Sequence, residues 1–223
     1  MVEGAFILLA SNSPRRKELL ALGDLTFNVC VADVDESRHA GEPPAHYVLR
    51  LAEAKARAVV ANALSGQFIL AADTIVVDGN DLLGKPKNAA EAVQMLKRLR
   101  GHGHRVYTGL AVLDVRTGQL VKDLCVTAVP MRNYGDAEID TYVRSGDPLD
   151  KAGAYAVQHA QFRPVENLGG CFASVMGLPL CHMVRVFQKI GVSISSDVPG
   201  NCQAYLNYEC LVSSAILRGE QVG

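Results

Sequence analysis

Ten residues in the first half of the chain constrain its fold more than any others. Phe68-Ile69-Leu70-Ala71-Ala72-Asp73-Thr74-Ile75-Val76-Val77 is an apolar run with a single acid in it. Its length and its β-branched content predict one buried strand. The turn signal Asp78-Gly79-Asn80 closes it. Asp73 stands in the middle. An ionised carboxylate there is costly unless a metal, a cation or hydrogen bonds compensate it. Asp73 is therefore either a structural acid, capping backbone or paired with one buried arginine, or a functional one.

The segments around this strand predict its surroundings. Phe6-Ile7-Leu8-Leu9-Ala10 reads as a short buried strand, and Ser13-Pro14 as the start of a helix, with Ser13 at the N-cap. A second strand is expected over residues 27–31. A long helix is expected from Pro44 to about Leu64, with Val48, Leu51, Ala52 and Val59 on its apolar stripe. Helices follow over 89–99, from Asp136 to about Arg144, and over 178–190. A hairpin is expected from 106–114 and 120–129 around Arg116-Thr117-Gly118. Residues 150–158 look like a small-residue strand ending in Gln158. Hairpin and crossover connections together predict an α/β fold with a mixed, twisted sheet flanked by helices. Residues 1–194 form the expected main domain. Residues 195–223 differ, with a turn-rich Ser195-Ser196-Asp197-Val198-Pro199-Gly200 stretch and two cysteines, and are expected to be an appendage.

Composition excludes several function classes. The chain has 223 residues and a formal net charge of −1, so no global basic field exists to hold a nucleic acid, and no stable nucleic-acid partner is expected. No segment reaches the ~20 apolar residues of a membrane span. Met1-Val2-Glu3-Gly4 lacks the pattern of a secretion leader, so a soluble, cytoplasmic protein is expected. Its six cysteines include no Cys-x-x-Cys pair. Free thiols are the plain expectation, with a metal- or redox-responsive tail as the alternative.

Five clusters carry potential chemistry. Ser11, Ser13, Arg15 and Arg16 surround a strand–turn–helix start, where free N–H groups, hydroxyls and guanidinium forks suit a phosphate; a solvated basic turn is the plainer account. Lys55 lies on the apolar stripe of its helix, so it either snorkels out or points into a cleft. Gly84-Lys85 places a mobile point charge after a turn. Asp35-Glu36, if not merely solvated, could complete a site of hard oxygen ligands with Asp73. Gln158 offers both a donor and an acceptor, as a base edge requires. Cations, a few acids and a polar reader together suit a metal-bound nucleoside polyphosphate.

Taken in order, eight segments resemble the Maf family of nucleoside triphosphate pyrophosphatases. They are Ser11-Asn12-Ser13-Pro14-Arg15-Arg16-Lys17-Glu18-Leu19-Leu20, Asp35-Glu36, Glu53-Ala54-Lys55-Ala56, Ala71-Ala72-Asp73-Thr74-Ile75-Val76, Gly84-Lys85-Pro86, Tyr107-Thr108-Gly109, Asp150-Lys151-Ala152-Gly153-Ala154-Tyr155 and Gly177-Leu178-Pro179-Leu180. The resemblance implies a two-lobed fold around a central cleft, a homodimer, and cleavage between the α- and β-phosphates with Mg²⁺ or Mn²⁺. By motif position it implies Asp73 as the proton acceptor and, with Glu36, a metal ligand. It also implies Ser11, Arg16, Lys55 and Lys85 at the phosphates, and Arg15, Thr74 and Gln158 as substrate readers of the dTTP and UTP type. The alternatives are the same reaction on a different or modified nucleotide, or a nucleotide-binding regulator of cell division with little turnover. Departures from the family pattern are His159 after Gln158, Ser174 in place of an Asn, and the stretch 161–170. Asp73 and Thr74 point to opposite faces of a regular strand, so both reach one cleft only at a strand end or bulge.

Overall fold

The computed structural model describes residues 6–223; the Met1-Val2-Glu3-Gly4 start lies outside the described residues. Six strands, β1 (Ile7–Leu9), β2 (Phe27–Val29), β3 (Phe68–Asp78), β4 (Asp81–Leu83), β5 (Gly103–Asp114) and β6 (Leu120–Pro130), form one sheet in the order β2-β1-β3-β5-β6, with β4 added beside β3. β1 pairs parallel with β2 and β3, while the β3–β4, β3–β5 and β5–β6 pairs are antiparallel. The sheet is mixed and flanked by helices, as expected.

Helix α1 (Pro14–Ala21) follows β1, and α2 (Pro44–Ala58) precedes β3. Then come α3 (Ala89–Leu99), α4 (Asp136–Arg144), α5 (Phe172–Met176), α6 (Leu180–Lys189), α7 (Val198–Leu206) and α8 (Ser213–Leu217). Alternation along β3 divides its side chains between two layers. Ile69 and Ala71 pack with Ala52 and Ala56 of α2, and Ile75 and Val77 with Val48. On the other face Leu70 and Ala72 pack with Leu19, Leu20, Met183 and Phe187 of α1 and α6. A separate core gathers Val76 with Leu96, Leu99, Tyr134, Tyr142 and Tyr155 around α3 and α4.

The structure differs from the sequence reading in three places. The α2 helix ends at Ala58, and a 3₁₀ turn, Val60–Asn62, replaces its expected last turn. Residues 150–158 are not a strand: 3₁₀ turns at Asp147–Asp150 and Ala152–Ala154 occupy them. Gly153 and Ala154 both take positive φ there, 69° and 60°, which a strand forbids. The tail forms two helices rather than only turns. Its Val198 and Ile216 are buried, and Arg185 on α6 reaches the carbonyls of Ile216 and Glu220 at 3.2 and 2.7 Å while pairing with Asp123. All six cysteines are free, with Cys125, Cys171 and Cys181 buried.

Candidate active site

The site begins with a gap in the sheet. β1 covers one edge of β3 at Phe68, Ile69 and Leu70, and β4 covers the same edge at Val76, Val77 and Asp78. No strand among the described residues lies between them on that edge. A cleft of about 720 Å³ opens there. Ten of the eleven candidate residues line it: Ser11, Ser13, Arg15, Arg16, Glu36, Lys55, Asp73, Thr74, Lys85 and Gln158. Asp35 does not; its carboxylate accepts from the backbone N–H and hydroxyl of Ser37.

This gap explains how Asp73 and Thr74 share one cleft. The pairing of β3 with β5 runs unbroken from Phe68↔Asp114 to Val77↔Arg105, so no bulge turns either residue. The strand that ends is the neighbour, β1. The cleft wraps around the exposed edge of β3, and side chains from both faces reach it.

On the α2 face, Asp73 is buried at 7 % exposure. Its Oδ1 accepts from Lys55 Nζ at 2.6 Å, and the same ammonium lies 2.7 Å from Glu36 Oε1. Lys55 therefore neither snorkels nor stands free; two carboxylates hold it. Burial works to raise the Glu36 pKa, but the bond from Lys55 and the charges of Lys55, Lys85 and Arg16 outweigh it, so the carboxyl sits below its ordinary value. Gly109 makes this contact possible. It lies opposite Asp73 on β5, and a Cβ there would stand 2.7 Å from the Val48 carbonyl carbon and oxygen. Only glycine lets α2 lie that close to the sheet.

On the opposite face, Arg16 donates from Nε to the Gly177 carbonyl at 2.8 Å, from Nη1 to Ser11 Oγ at 3.3 Å and from Nη2 to Thr74 Oγ1 at 3.3 Å. Burial pushes its pKa below the usual arginine value, opposed by Asp73 and aided by Arg15. Thr108 Oγ1 donates to the Ser174 carbonyl at 2.9 Å and lies 3.0 Å from Thr74 Oγ1. One hydroxyl carries one proton, so the Thr74 proton goes to Thr108, and Thr74 faces the cleft as an acceptor. Ser13 occupies the N-cap of α1, yet its side chain makes no capping bond, which leaves first-turn N–H groups for a ligand.

The remaining wall comes from the turns at 147–158. Arg15 Nη1 lies 3.3 Å from Asp150 Oδ2. Lys151 is buried and donates to the Asp147 carbonyl at 2.6 Å, to Asp147 Oδ1 at 2.8 Å and to Asp150 Oδ1 at 2.7 Å. Gln158 and Lys85 are exposed at the rim. Of the departures from the family pattern, His159 points away from the cleft. Its Nδ1 accepts from Phe162 N–H at 2.9 Å, and its ring stacks edge-on against Tyr142. Ser174 is fully buried beneath Thr108.

Tyr47 is a functional candidate that sequence reasoning missed, while Thr108 and Lys151 lay within segments it singled out but gave no role. Tyr47 lines the cleft and donates its hydroxyl to the Glu36 carbonyl at 2.7 Å. Burial, with Asp73 and Glu36 nearby, raises its pKa. A signal was available: Tyr47, Leu51 and Lys55 follow one another at four-residue steps on one helix face.

Asp73 and Glu36 converge on a single cation position. Mg²⁺ is commonly held by one or two carboxylates, with substrate oxygens and water completing its shell, so this donor set fits a divalent cation. No three His, Cys, Asp or Glu side chains among the described residues form a metal cluster, and the further ligands would come from phosphate. No helix among the described residues is long and apolar enough to cross a membrane.

Comparison with known proteins gives the following matches. The family model described as "Maf-like protein" matches residues 6–190. A protein of Geobacter sulfurreducens named dTTP/UTP pyrophosphatase is 44 % identical over 190 residues, covering 85 % of this chain and 99 % of its own. A protein of the same name from Desulforamulus reducens is 46 % identical over 188 residues, covering 84 % and 98 %. Among solved structures, a nucleoside-triphosphatase / dITP/XTP pyrophosphatase from Mycobacterium abscessus aligns with 18 % identity and a TM-score of 0.36, over 58 % of this chain and 75 % of its own. The Staphylococcus aureus Ham1 protein aligns with 15 % identity and a TM-score of 0.39, over 58 % and 74 %.

Proposed function

The chain belongs to the Maf-like protein family, and on that premise we propose that it hydrolyses dTTP and UTP to the nucleoside monophosphate and pyrophosphate. The observation that carries the proposal is the gathering of a buried acid, a second acid and a set of cations around one open strand edge. Relatives bearing the name dTTP/UTP pyrophosphatase align along nearly their whole length.

In this account the triphosphate lies across the start of α1. Ser11, Arg16 and Lys85 hold its oxygens, and Lys55 joins them once the substrate's charge competes for its ammonium. Asp73 and Glu36 would hold a divalent cation, Mg²⁺ or Mn²⁺, which would neutralise phosphate charge. Asp73 Oδ2 has no hydrogen-bond partner among the described residues, while Oδ1 is bonded to Lys55. Oδ2 takes the proton of the water whose oxygen bonds to phosphorus as the α–β bridge breaks and pyrophosphate leaves. Preorganised charge and alignment supply most of the acceleration. Arg15, Thr74 and Gln158 line the part of the cleft left for the base. Gln158 offers an acceptor to a pyrimidine N3–H and donors to the adjacent carbonyl.

The proposal extends to a cytoplasmic homodimer, and the six free cysteines fit a reducing compartment. It also extends to a division in which residues 1–194 are the catalytic unit and 195–223 an appendage that closes its core. The test is Asp73→Asn. We expect kcat for pyrophosphate release to fall by about 10²–10⁴, the range for losing a general base, with nucleotide affinity within a few fold of wild type. Turnover near the wild-type rate in that variant would remove the assignment.

A further inference from the structure

The two carboxylates assigned to the metal are, in this structure, both bonded to a lysine. Lys55 Nζ lies 2.6 Å from Asp73 Oδ1 and 2.7 Å from Glu36 Oε1. A divalent cation on the same two oxygens would sit at roughly 2.0–2.1 Å from each. Its place is the space the ammonium occupies. Lys55 is itself buried, at 9 % exposure, so its ammonium holds that space unless another anion draws it away. The charges around it point the same way. The cleft is lined by five basic residues, Arg15, Arg16, Lys55, Lys85 and Lys151, against three acids, Glu36, Asp73 and Asp150. That excess of positive charge in a partly enclosed site opposes a lone divalent cation. A triphosphate reverses the sign and gives the ammonium a new partner, for which a compact point charge on a flexible stem is suited.

We propose that Lys55 is the internal counter-ion of the metal site. In the nucleotide-free protein it occupies the position between Asp73 and Glu36, so a divalent cation enters only together with a polyphosphate. This rests on the metal-dependent reading above and deepens it. Lys55 then has two successive partners, the carboxylates before substrate binds and a phosphate oxygen afterwards. The exchange keeps the acids compensated throughout, since neither is left buried without a cation.

The experiment is titration of the full chain with Mn²⁺, following the electron paramagnetic resonance signal of the free aqua ion, without nucleotide. Lys55→Met keeps most of the stem and removes the charge. We expect it to bind Mn²⁺ at least tenfold more tightly than wild type. Adding Glu36→Gln to that variant should abolish the gain, which locates it at this pair of acids. In wild type, a non-hydrolysable α,β-methylene analogue of dUTP should tighten Mn²⁺ binding at least tenfold; this arm does not depend on the variant folding. Equal Mn²⁺ affinity in wild type and a folded Lys55→Met protein overturns the inference, as does wild-type binding indifferent to the analogue when Mn²⁺ is still held. Absence of Mn²⁺ binding to wild type even with the analogue overturns the metal reading beneath it.

Discussion

Gly109 offers a sharp test of how the fold builds the site, because its effect is geometric. In Gly109→Ala the new Cβ would stand 2.7 Å from the carbonyl carbon and oxygen of Val48 and 2.9 Å from the Leu49 nitrogen, where ordinary contact starts at 3.4 Å. The atoms met are backbone, so no side chain can swing aside. The α2 helix must retreat by roughly 0.7 Å, and Lys55 is carried with it. The ammonium, 2.6 Å from Asp73 in wild type, is displaced relative both to the acids and to the phosphate oxygen it meets when substrate binds. A misplacement of about 1 Å in a reacting constellation costs on the order of 100-fold in rate, so a drop of about 10- to 100-fold in kcat is expected. Overpacking costs about 1–3 kcal/mol, offset by about 0.4–1 kcal/mol from the lost flexibility of glycine in the unfolded chain. For a chain of this size each kcal/mol moves Tm by about 2–4 °C. The assays are pyrophosphate release at saturating nucleotide and a thermal melt. A variant with kcat within twofold of wild type would refute the claim that α2 must lie this close to β5.

Three further outcomes follow from particular contacts. His104 is buried, its ring lies 2.8 Å from the Tyr155 hydroxyl, and burial lowers its pKa to about 4. The unfolded chain binds this proton at about 6.5, so the His104 contribution is present above that pH and is lost as pH falls from about 6.5 to 4. The loss is about 3 kcal/mol, and urea melts of His104→Gln should lack this part of the acid destabilisation. Tyr47→Phe removes the bond to the Glu36 carbonyl. We expect a loss of about 1 kcal/mol in holding Glu36, read as a roughly fivefold higher half-saturating Mn²⁺ concentration in a titration of activity, with nucleotide KM little changed. Gln158→Ala, at an exposed rim position, should change the ranking of nucleotides by kcat/KM without moving Tm by more than about 2 °C, since surface substitutions cost within about ±0.5 kcal/mol; an unchanged ranking would remove Gln158 as a reader.

Much of the architecture was legible in the chain itself. The α3 helix spans Ala89–Leu99 as expected because its ends are signalled locally. Asn88 accepts from the Glu91 N–H at 2.9 Å, and Gly101 follows with φ of 72°. The acid in the apolar strand also led to the site, since a buried charge requires a partner wherever the chain folds. Residues 150–158 were misread because small and aromatic residues suit a strand locally. Their conformation is set by long-range bonds instead, with the Gly153 N–H bonded to the Gly84 carbonyl at 3.0 Å and Asp150 accepting from Arg15, 135 residues away, at 3.3 Å. No local pattern encodes those partners. The meeting of Asp73 and Thr74 was equally hidden, because it depends on where β1 stops along β3 rather than on either residue. The tail was underestimated for the same reason: Arg185 and Asp123 are 62 residues apart in sequence, and the carbonyls that complete Arg185 come from the tail.

The most direct test of the whole account is a substrate panel. The purified chain is incubated with Mg²⁺ or Mn²⁺ and each common nucleoside triphosphate, 7-methyl-GTP included, and monophosphate and pyrophosphate are quantified. The account predicts equimolar monophosphate and pyrophosphate, with dTTP and UTP ahead of the others. Release of orthophosphate instead, or no product from a folded sample that binds nucleotide, would contradict it and favour a nucleotide-binding regulator.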